Sequence, residues 1–257
     1  LGVDGRAACW GIVPSQCPVC SSVELASVTP TTTFTSVALS GAGACGIKAD
    51  GQVECWGPRG SLTGSFSQIA GDCGIRSDGS LACLDRPSPG DGIYTAVDAS
   101  VADACAIRAN GTLTCWHRRM ASSDAYTFDD RGGPFQSVSF GDRTCALSPS
   151  GVPSCWLFSG DERQDLDGRW LALAVGRGHY CGIRGDCALS CAVDHEYAAA
   201  AGDPPAGGFS AIASGNVFSC GIRLEGTLAC WGNDDAGQAS PPAGTFVAIA
   251  AGDSHAC

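Results

Sequence analysis

The chain has 257 residues and a net charge of −11, and no basic stripe is present to neutralise phosphates, so its composition argues against nucleic-acid binding. Charged residues make up only 16% of the chain and glycines number 36, which favours strands and tight turns over long helices. No run of about 18 apolar residues occurs, so no membrane-spanning segment is predicted.

Cysteine usage is unusually high, with 17 cysteines in the chain. Zinc sites typically present Cys-x-x-Cys pairs, and this chain has a single such pair, Cys17 and Cys20. The dominant cysteine spacing is ten residues instead. This pattern predicts disulfides formed in an oxidising, extracellular compartment, with no metal and no cofactor.

Six units with this spacing follow one another along the chain, and each is preceded by an aromatic residue with an aliphatic residue three positions later. The cysteine pairs are Cys45/Cys55, Cys73/Cys83, Cys105/Cys115, Cys145/Cys155, Cys181/Cys191 and Cys220/Cys230. The apolar pairs are Phe34/Val37, Phe66/Ile69, Tyr94/Val97, Phe135/Val138, Trp170/Leu173 and Phe209/Ile212. A seventh apolar pair, Phe246/Ile249, leads to Cys257, and its missing second half stands at residues 4–10. Seven repeat units are therefore predicted.

The stretch CGIKADGQVECW at residues 45–56 predicts a β-hairpin with a three-residue loop, Ala49-Asp50-Gly51. Cys45 then faces Cys55 at a non-hydrogen-bonded pair, where the two Cα atoms lie about 4.5 Å apart, within reach of a disulfide. Each such bridge closes an 11-residue loop and contributes roughly 3 kcal/mol in the chain-entropy model. The turn glycine recurs in the other copies except one, where Cys187 takes its place and is expected to strain the turn.

The split seventh unit indicates how the array ends. If the C-terminal strand pairs with the N-terminal one, the units close into a ring without a bare sheet edge. We therefore predict an all-β fold, a seven-bladed β-propeller over residues 1–257 with one cross-strand disulfide per blade. The split blade is formed by residues 1–10 and 246–257 and locked by a Cys9–Cys257 bridge, and residues 11–33 form an irregular insertion. Because Leu1 lies inside a repeat unit, the chain is expected to be part of a longer precursor.

Three cysteines stand outside the seven pairs. A local Cys17–Cys20 bridge is the first expectation, although either residue can instead bond to Cys187 or to another domain. An odd number of cysteines leaves one thiol free or bonded to another chain. Cys187 is the candidate for that thiol.

The repeat resembles a known family. The stretch CGIRLEGTLACWG at residues 220–232, followed by NDDAGQ at 233–238, is similar to the regulator of chromosome condensation repeat. The cysteines resemble the extracellular version of that repeat in crinkly-type receptor ectodomains, and beta-lactamase inhibitor protein II is another relative. The resemblance implies a seven-bladed propeller but no single function, since relatives range from exchange factors to inhibitors and receptor ectodomains.

No catalytic motif accompanies the four histidines, His117, His179, His195 and His255. His179 and His255 each stand two residues before a repeat cysteine, so both are interpreted as packing or surface residues. His195 has acidic neighbours but no nucleophile placed by a motif. The acidic stretch 161–168 contains only a fragment of a calcium loop and is interpreted as a solvated loop. The chain is therefore not expected to be an enzyme.

Two short signals indicate glycosylation. Asn110-Gly111-Thr112 is an N-glycosylation sequon on a predicted hairpin turn. The Thr/Pro-rich segment offers four hydroxyls for O-linked sugar, those of Thr29, Thr31, Thr32 and Thr33.

The leading functional hypothesis is an extracellular, non-enzymatic interaction or structural module of a larger secreted or cell-surface assembly. Its expected partners are other extracellular protein domains, copies of itself, or glycans. The alternative is a soluble binder, a protein inhibitor or a carbohydrate-binding protein, that acts through the loops between blades. Variable loops on a rigid ring are where such scaffolds place recognition.

Overall fold

The computed structural model describes residues 1–11, 32–40, 43–56, 62–84, 87–100, 103–118, 126–157, 163–193 and 202–257. Within these ranges the chain forms 22 strands and no helix. The strands make seven antiparallel sheets, the blades of a seven-bladed propeller, and the predicted fold class is confirmed. Most of the predicted 11–33 insertion lies outside the described residues.

The blades follow the order of the repeats. The split blade contributes β1 (Trp10–Gly11). Blades 1 and 2 contain β2 (Ser36–Ser40), β3 (Gly43–Ile47), β4 (Val53–Trp56), β5 (Phe66–Ala70), β6 (Cys73–Arg76) and β7 (Leu81–Cys83). Blades 3 and 4 contain β8 (Tyr94–Ala99), β9 (Ala104–Arg108), β10 (Leu113–Arg118), β11 (Tyr126–Asp130), β12 (Ser137–Phe140), β13 (Arg143–Leu147), β14 (Pro153–Leu157) and β15 (Arg163–Asp165). Blades 5 to 7 contain β16 (Trp170–Val175), β17 (His179–Arg184), β18 (Leu189–Val193), β19 (Phe209–Ser214), β20 (Phe218–Arg223), β21 (Leu228–Gly232) and β22 (His255–Ala256).

Blade 7 is built from both ends of the chain. β1 pairs antiparallel with β22, so that Trp10 lies opposite Ala256. On the other side of β22, Ala250 and Cys257 donate backbone hydrogen bonds to each other, at 2.8 and 2.9 Å. A disulfide between Cys9 and Cys257 joins the two chain ends across this sheet. The predicted closure of the ring is confirmed.

The hairpin register is the predicted one. Cys45 faces Cys55 and Ile47 faces Val53. The two cysteine Cα atoms are 4.0 Å apart, a short separation typical of a non-hydrogen-bonded antiparallel pair. The same bridge occurs in the other complete blades, as Cys73–Cys83, Cys105–Cys115, Cys145–Cys155, Cys181–Cys191 and Cys220–Cys230.

The aromatic residue of the repeat packs over the residue that follows the first cysteine. A Cβ atom added to Gly74 would lie 2.7 Å from the Phe66 ring, and one added to Gly221 would lie 2.6 Å from the Phe209 ring. Real Cβ atoms do not approach carbon atoms so closely, so glycine is needed at these positions. The aromatic residues themselves are almost fully buried, with 2% and 1% exposure for Phe66 and Phe209.

A repeated arginine completes this contact, three residues after the first cysteine. In four blades its guanidinium carbon lies 4.9 to 5.6 Å from the centre of the aromatic ring of the same blade. The pairs are Arg76/Phe66, Arg108/Tyr94, Arg184/Trp170 and Arg223/Phe209. At this distance the cation is attracted by the ring, so blades 2, 3, 5 and 6 are each held by a hairpin disulfide and by an arginine stacked on an aromatic residue of the same blade.

Cys187 adopts the backbone conformation of the glycine that it replaces. Its φ angle is 67°, whereas the equivalent glycines have φ between 76° and 89°. Such angles are in the left-handed region, which costs a residue with a Cβ of order 1 kcal/mol. The expected strain at this turn is therefore present.

Replacing Cys187 by glycine should stabilise the protein. We expect Cys187→Gly to raise the free energy of unfolding by about 1 kcal/mol, because it removes the left-handed penalty. Cys187→Ser keeps the penalty and is the control, with an expected change within about 0.5 kcal/mol. Denaturant unfolding of the oxidised proteins measures both, and equal stabilities for the two variants would contradict the strain.

The closing disulfide should contribute more stability than a hairpin disulfide. The residues of the Cys9–Cys257 bridge are 248 positions apart, against 10 for Cys45–Cys55. Chain entropy then gives about 5 kcal/mol for the closing bridge and about 3 kcal/mol for the hairpin bridge. Urea unfolding of the Cys9→Ala/Cys257→Ala and Cys45→Ala/Cys55→Ala variants measures the difference, and a greater loss in the second variant would contradict this order.

Candidate functional site

A central channel runs between the first strands of blades 1 to 6, which are β2, β5, β8, β12, β16 and β19, and residues 246–250 of blade 7. We call these segments the inner strands, and the cavity between them has a volume of about 910 Å³. Equivalent residues lie at similar depths because the blades repeat one register. At one depth the residues that line the channel are aliphatic, and among them Val37 and Ile69 are also part of the hydrophobic core. They are Val37, Ile69, Val138, Leu173, Ile212 and Ile249. The next residue of each strand is small in most blades, as in Ala38, Ala70, Ala174, Ala213 and Ala250. Although these residues are apolar, polar atoms form more of the channel surface than apolar atoms do.

One mouth of the channel is a ring of turns that connect each inner strand to the second strand of its blade. Neighbouring turns are hydrogen-bonded to each other through the backbone. The N–H of Asp142 donates to Gly176 (3.3 Å), that of Arg177 to Asn216 (2.8 Å), and that of Asn216 to Asp253 (3.3 Å). We call these turns the rim. Asp142 and Asp253 are exposed there, and the Arg177 guanidinium lies 4.0 Å from the Asp142 carboxylate.

Asp98 is the one described residue that brings an ionisable group to the depth of the small residues. Its Oδ1 accepts the N–H of Ala99 at 2.9 Å, and its Oδ2 accepts the N–H of Phe140 from the next blade at 2.9 Å. Burial raises the pKa of this carboxyl from 3.8 to about 6, although hydrogen bonds from Phe140, Ala99 and Ser139 oppose the rise. No described Lys, Arg or His lies within ion-pair distance of Asp98.

Ser139 makes the same link between blades without a charge. It occupies the equivalent position in blade 4, and its Oγ accepts the N–H of Val175 from blade 5 at 3.0 Å. A neutral hydroxyl thus suffices to join two inner strands at this level. The negative charge of Asp98 is not required by the link.

The opposite face of the ring, formed by the hairpin turns and by the first residues of the inner strands, carries exposed apolar side chains. We call it the hairpin-turn face. Its exposed large apolar residues are Val3 (67%), Ile93 (55%), Val152 (39%), Leu171 (51%), Leu224 (63%) and Val247 (60%). Four of these, Leu171, Leu224, Val247 and Val3, belong to the consecutive blades 5, 6 and 7. Exposed apolar groups concentrated on one face indicate an interaction surface.

The histidines next to the repeat cysteines are buried. His179 Nε2 lies 3.0 Å from Ser219 Oγ in the next blade, and burial holds the pKa of His179 below its ordinary value. Burial lowers the pKa of His255 to about 4, so this side chain is neutral at physiological pH. Both residues are therefore buried as neutral groups, and His179 links blade 5 to blade 6 through Ser219.

The remaining histidines do not form a shared site in the described structure. His117 Nδ1 lies 3.6 Å from Asp103 Oδ1, and its Nε2 lies 3.7 Å from Asp129 Oδ2. His195 lies outside the described residues. No cluster of three or more potential metal ligands occurs among the residues that the structure describes.

The other predicted site residues are only partly described. Cys187 is outside the disulfides of the described chain and half-buried, next to Gly208 of blade 6. Asn110 is exposed on the β9–β10 turn, where its Oδ1 accepts the N–H of Thr112 at 3.0 Å. Thr32 donates a hydrogen bond to Glu54 in blade 1, and Thr33 pairs with Arg6. The other predicted residues, Cys17, Cys20, Thr29 and Thr31, lie outside the described residues.

Asp98 was not singled out from the sequence, although a signal for it exists. The aliphatic residue of each repeat is followed by Ala in five units and by Ser in blade 4, whereas Val97 is followed by Asp. Asp98 is therefore an acidic residue at a repeat position that small residues occupy in the other six units. The sequence does not reveal that this position faces the channel.

Comparison with known proteins supports the fold. Residues 209–238 match the family model of the regulator of chromosome condensation (RCC1) repeat. A search of curated protein sequences found no match to this chain. No described helix is both long and apolar enough to cross a membrane.

Solved structures resemble the whole ring. The CRINKLY WD40 ectodomain of the Arabidopsis thaliana receptor kinase ACR4 aligns with a TM-score of 0.65 and 23% identity, covering 86% of this chain and 91% of that chain. The ectodomain of the Physcomitrella patens receptor kinase CR4 gives 0.65 and 22%, covering 85% and 68%. Prp20p from Saccharomyces cerevisiae gives 0.70 and 12%, covering 96% and 89%. At these identities the likeness establishes the propeller fold, and the predicted resemblance to the repeat family is confirmed.

Removing the charge of Asp98 should stabilise the protein at neutral pH. Because the folded-state pKa is raised, the folded state binds the proton more tightly, and stability falls as pH rises from about 4 to 6. After discounting for partial exposure, this loss is about 2 kcal/mol. The Asp98→Ser variant keeps a hydroxyl acceptor, as Ser139 does, but has no titratable group at this position. Its stability should therefore not show this loss as the pH rises.

Urea unfolding at several pH values tests this expectation. The stability difference between Asp98→Ser and wild type should grow by about 2 kcal/mol from pH 4 to pH 7. Asp253→Ser removes one exposed carboxylate at the rim and is the control for net charge. A difference that stays constant with pH for Asp98→Ser would contradict a buried, unpaired carboxylate.

Proposed function

We propose that this protein is an extracellular, non-enzymatic interaction module that binds a protein partner through its hairpin-turn face, within a larger secreted or cell-surface assembly. The disulfides support the compartment. Cytosolic thiols are kept reduced, so a ring that bridges every blade is typical of an oxidising environment. The bridges also make the ring rigid, which lowers the entropy cost of presenting a binding surface.

The exposed apolar residues of blades 5 to 7 are the observation that carries the proposal. Leu224 and Val3 project from hairpin turns, and Leu171 and Val247 lie near the start of inner strands. Side chains of this kind exposed to water at 51% to 67% are costly to keep hydrated, and a partner that covers them gains about 25 cal/mol per Å² of apolar area. We call these four residues the apolar patch.

The known proteins of similar fold support a binding role. The CRINKLY propeller belongs to the ectodomain of a receptor kinase, and the yeast protein Prp20p binds Gsp1p and histones. The yeast protein shows that a ring of this fold can present a binding surface, although its low identity to this chain transfers no partner. An inhibitor or a carbohydrate-binding protein would use the loops between blades, of which residues 87–93, 131–136 and 233–245 are described, whereas residues 12–31 lie outside the described ranges.

Asn110 is proposed as a glycan acceptor on the same face. Its side chain is exposed, and the turn that holds it belongs to blade 3, whereas the apolar patch belongs to blades 5 to 7. A glycan at that position leaves the patch uncovered, since the two lie in separate parts of the ring. This placement is compatible with a protein partner on blades 5 to 7.

Charge placed in the apolar patch should abolish partner binding. The oxidised protein, tagged and immobilised, is exposed to intact cells or extracellular extract of its source, and retained proteins are quantified by mass spectrometry. We expect Leu224→Asp/Val247→Asp to lose a specific partner by about 100-fold, because each buried charge costs 1 kcal/mol or more at an interface.

Val193→Asp is the matched control, because Val193 is also an exposed apolar residue (40%) but lies at the end of β18, away from this face. It should retain the partner as wild type does. Equal retention by the patch variant, or loss by the control alone, would refute the hairpin-turn face as the binding surface. An enzymatic activity of the purified protein would refute the non-enzymatic role.

A further inference from the structure

The outer edge of blade 3 carries a strand that the proposed binding face does not use. β11 (Tyr126–Asp130) is a fourth strand, and all five of its residues pair with β10. It is the last strand of its sheet, so one of its two edges has no neighbouring strand in the described part of the chain. Such an edge presents backbone N–H and C=O groups to which another strand can bond.

The register of blade 3 decides which backbone groups of β11 point outward. The disulfide-bonded pair of β9 and β10 is of the non-hydrogen-bonded kind, so Cys115 directs its N–H and C=O groups to Asp129 in β11. Every second residue then bonds inward, and the N–H of Arg131 continues this order by donating to Leu113 at 2.8 Å. The residues whose N–H and C=O groups face outward are Tyr126, Phe128 and Asp130.

Phe128 lies at the centre of this edge and is exposed to solvent at 47%. It is the one exposed aromatic side chain among the residues that the structure describes. A side chain of this size gains free energy when a partner covers it, and two aromatic rings that meet across strands add to that gain. The centre of the edge is therefore suited to be buried against another strand.

We propose that β11 pairs antiparallel with β11 of a second copy of this chain, with Phe128 on the two-fold axis. The two blade-3 sheets then form one continuous sheet. In this register Phe128 lies opposite its own equivalent, and Tyr126 lies opposite Asp130 of the second copy. The outward N–H and C=O groups of these three residues bond to those of the second copy, as in an ordinary antiparallel ladder.

The order of side chains in β11 fits pairing with itself. In the antiparallel register Asp130 lies opposite Tyr126 and Asp129 lies opposite Thr127, so no carboxylate directly faces another. Tyr126 and Thr127 carry hydroxyl groups, which can donate to carboxylates. In a parallel pairing each Asp would lie beside its own equivalent, and like charges at such positions destabilise a sheet. A second copy in the antiparallel direction is therefore the partner that this edge fits.

Contacts within blade 3 already reduce the repulsion between the acidic residues. The Oγ1 of Thr114 donates a hydrogen bond to Asp130 Oδ1 at 2.5 Å. Asp129 Oδ2 lies 3.7 Å from His117 Nε2 and 4.0 Å from Arg131 Nη2. The guanidinium cation beside Asp129 offsets part of its charge. The two carboxylates therefore do not prevent the approach of a second copy.

The association is expected to be weak. The five residues of β11 are far fewer than the roughly 20–30 residues a side of a standard interface. The net charge of −11 on each copy also opposes association. We expect a dissociation constant on the order of 100 µM at physiological salt. Because β11 belongs to blade 3, this pairing leaves the apolar patch on blades 5 to 7 uncovered in both rings.

Sedimentation equilibrium of the complete oxidised protein tests the pairing. We expect a monomer–dimer equilibrium, which Phe128→Asp should weaken at least about 10-fold because it places two carboxylates opposite each other on the axis. Val193→Asp is the matched control, since Val193 is also an exposed apolar residue on the outermost described strand of its blade. It should associate as wild type does. Non-reducing electrophoresis excludes pairs linked covalently through Cys187.

A second variant separates this interface from the apolar patch. Leu224→Asp/Val247→Asp, which tests the hairpin-turn face, should form the dimer as wild type does. Loss of the dimer in that variant together with its retention in Phe128→Asp would place the contact on the hairpin-turn face and overturn the pairing of β11. Failure of the patch to bind a partner protein would leave the dimer unaffected, so the two proposals are tested separately.

Amide hydrogen exchange of the wild-type protein tests the register without any substitution. The N–H groups of Tyr126, Phe128 and Asp130 should exchange about fourfold more slowly at about 1 mM protein than at about 20 µM, because the monomer fraction falls by that factor at the expected affinity. Those of Thr127 and Asp129, which bond to β10, should not change with concentration. A protein that stays monomeric at about 1 mM, a dimer as tight in Phe128→Asp as in wild type, or outward N–H groups whose exchange is independent of concentration would overturn the proposal.

Discussion

The pairing of the two chain ends is the constraint on which the rest of the structure depends. β1 and β22 form one sheet, and the Cys9–Cys257 bridge holds it. Without that sheet, blades 6 and 1 would each present an uncovered face to water, and an open array has no enclosed centre. With it, the inner strands surround a channel, and the rim turns of blades 4 to 7 are joined by backbone hydrogen bonds from one blade to the next.

The six blades formed by one continuous stretch of chain are stabilised by local interactions. The disulfide of each joins residues ten apart, and in four of these blades an arginine stacks on an aromatic residue of the same blade. Such local contacts cost little loop-closure entropy. The inter-blade contacts are then made by apolar side chains and by single hydrogen bonds, as between Ser139 and Val175. This division lets loops and individual positions vary without loss of the ring.

The rim and the hairpin-turn face differ in chemistry because equivalent positions carry different residues in different blades. On the rim, turns of Gly with Asp, Asn or Arg place polar groups around the channel mouth. On the hairpin-turn face, the same structural positions are polar in blades 1 and 2, where Thr35 and Ser67 stand, but apolar in blades 5 and 7, where Leu171 and Val247 stand. The departure from the repeat, rather than the repeat itself, distinguishes the candidate binding surface.

The sequence by itself determined the blade number, the hairpin register and the closing disulfide, because these follow from residue spacing along the chain. Cys45 faces Cys55 whenever a three-residue loop separates two extended strands, and residues 1–10 supply what residues 246–257 lack. Only the tertiary structure decided that Asp98 faces a channel and that Leu171, Leu224, Val247 and Val3 share one surface. Those relations join residues from different blades. They exist only once the ring has closed and the blades are oriented relative to one another.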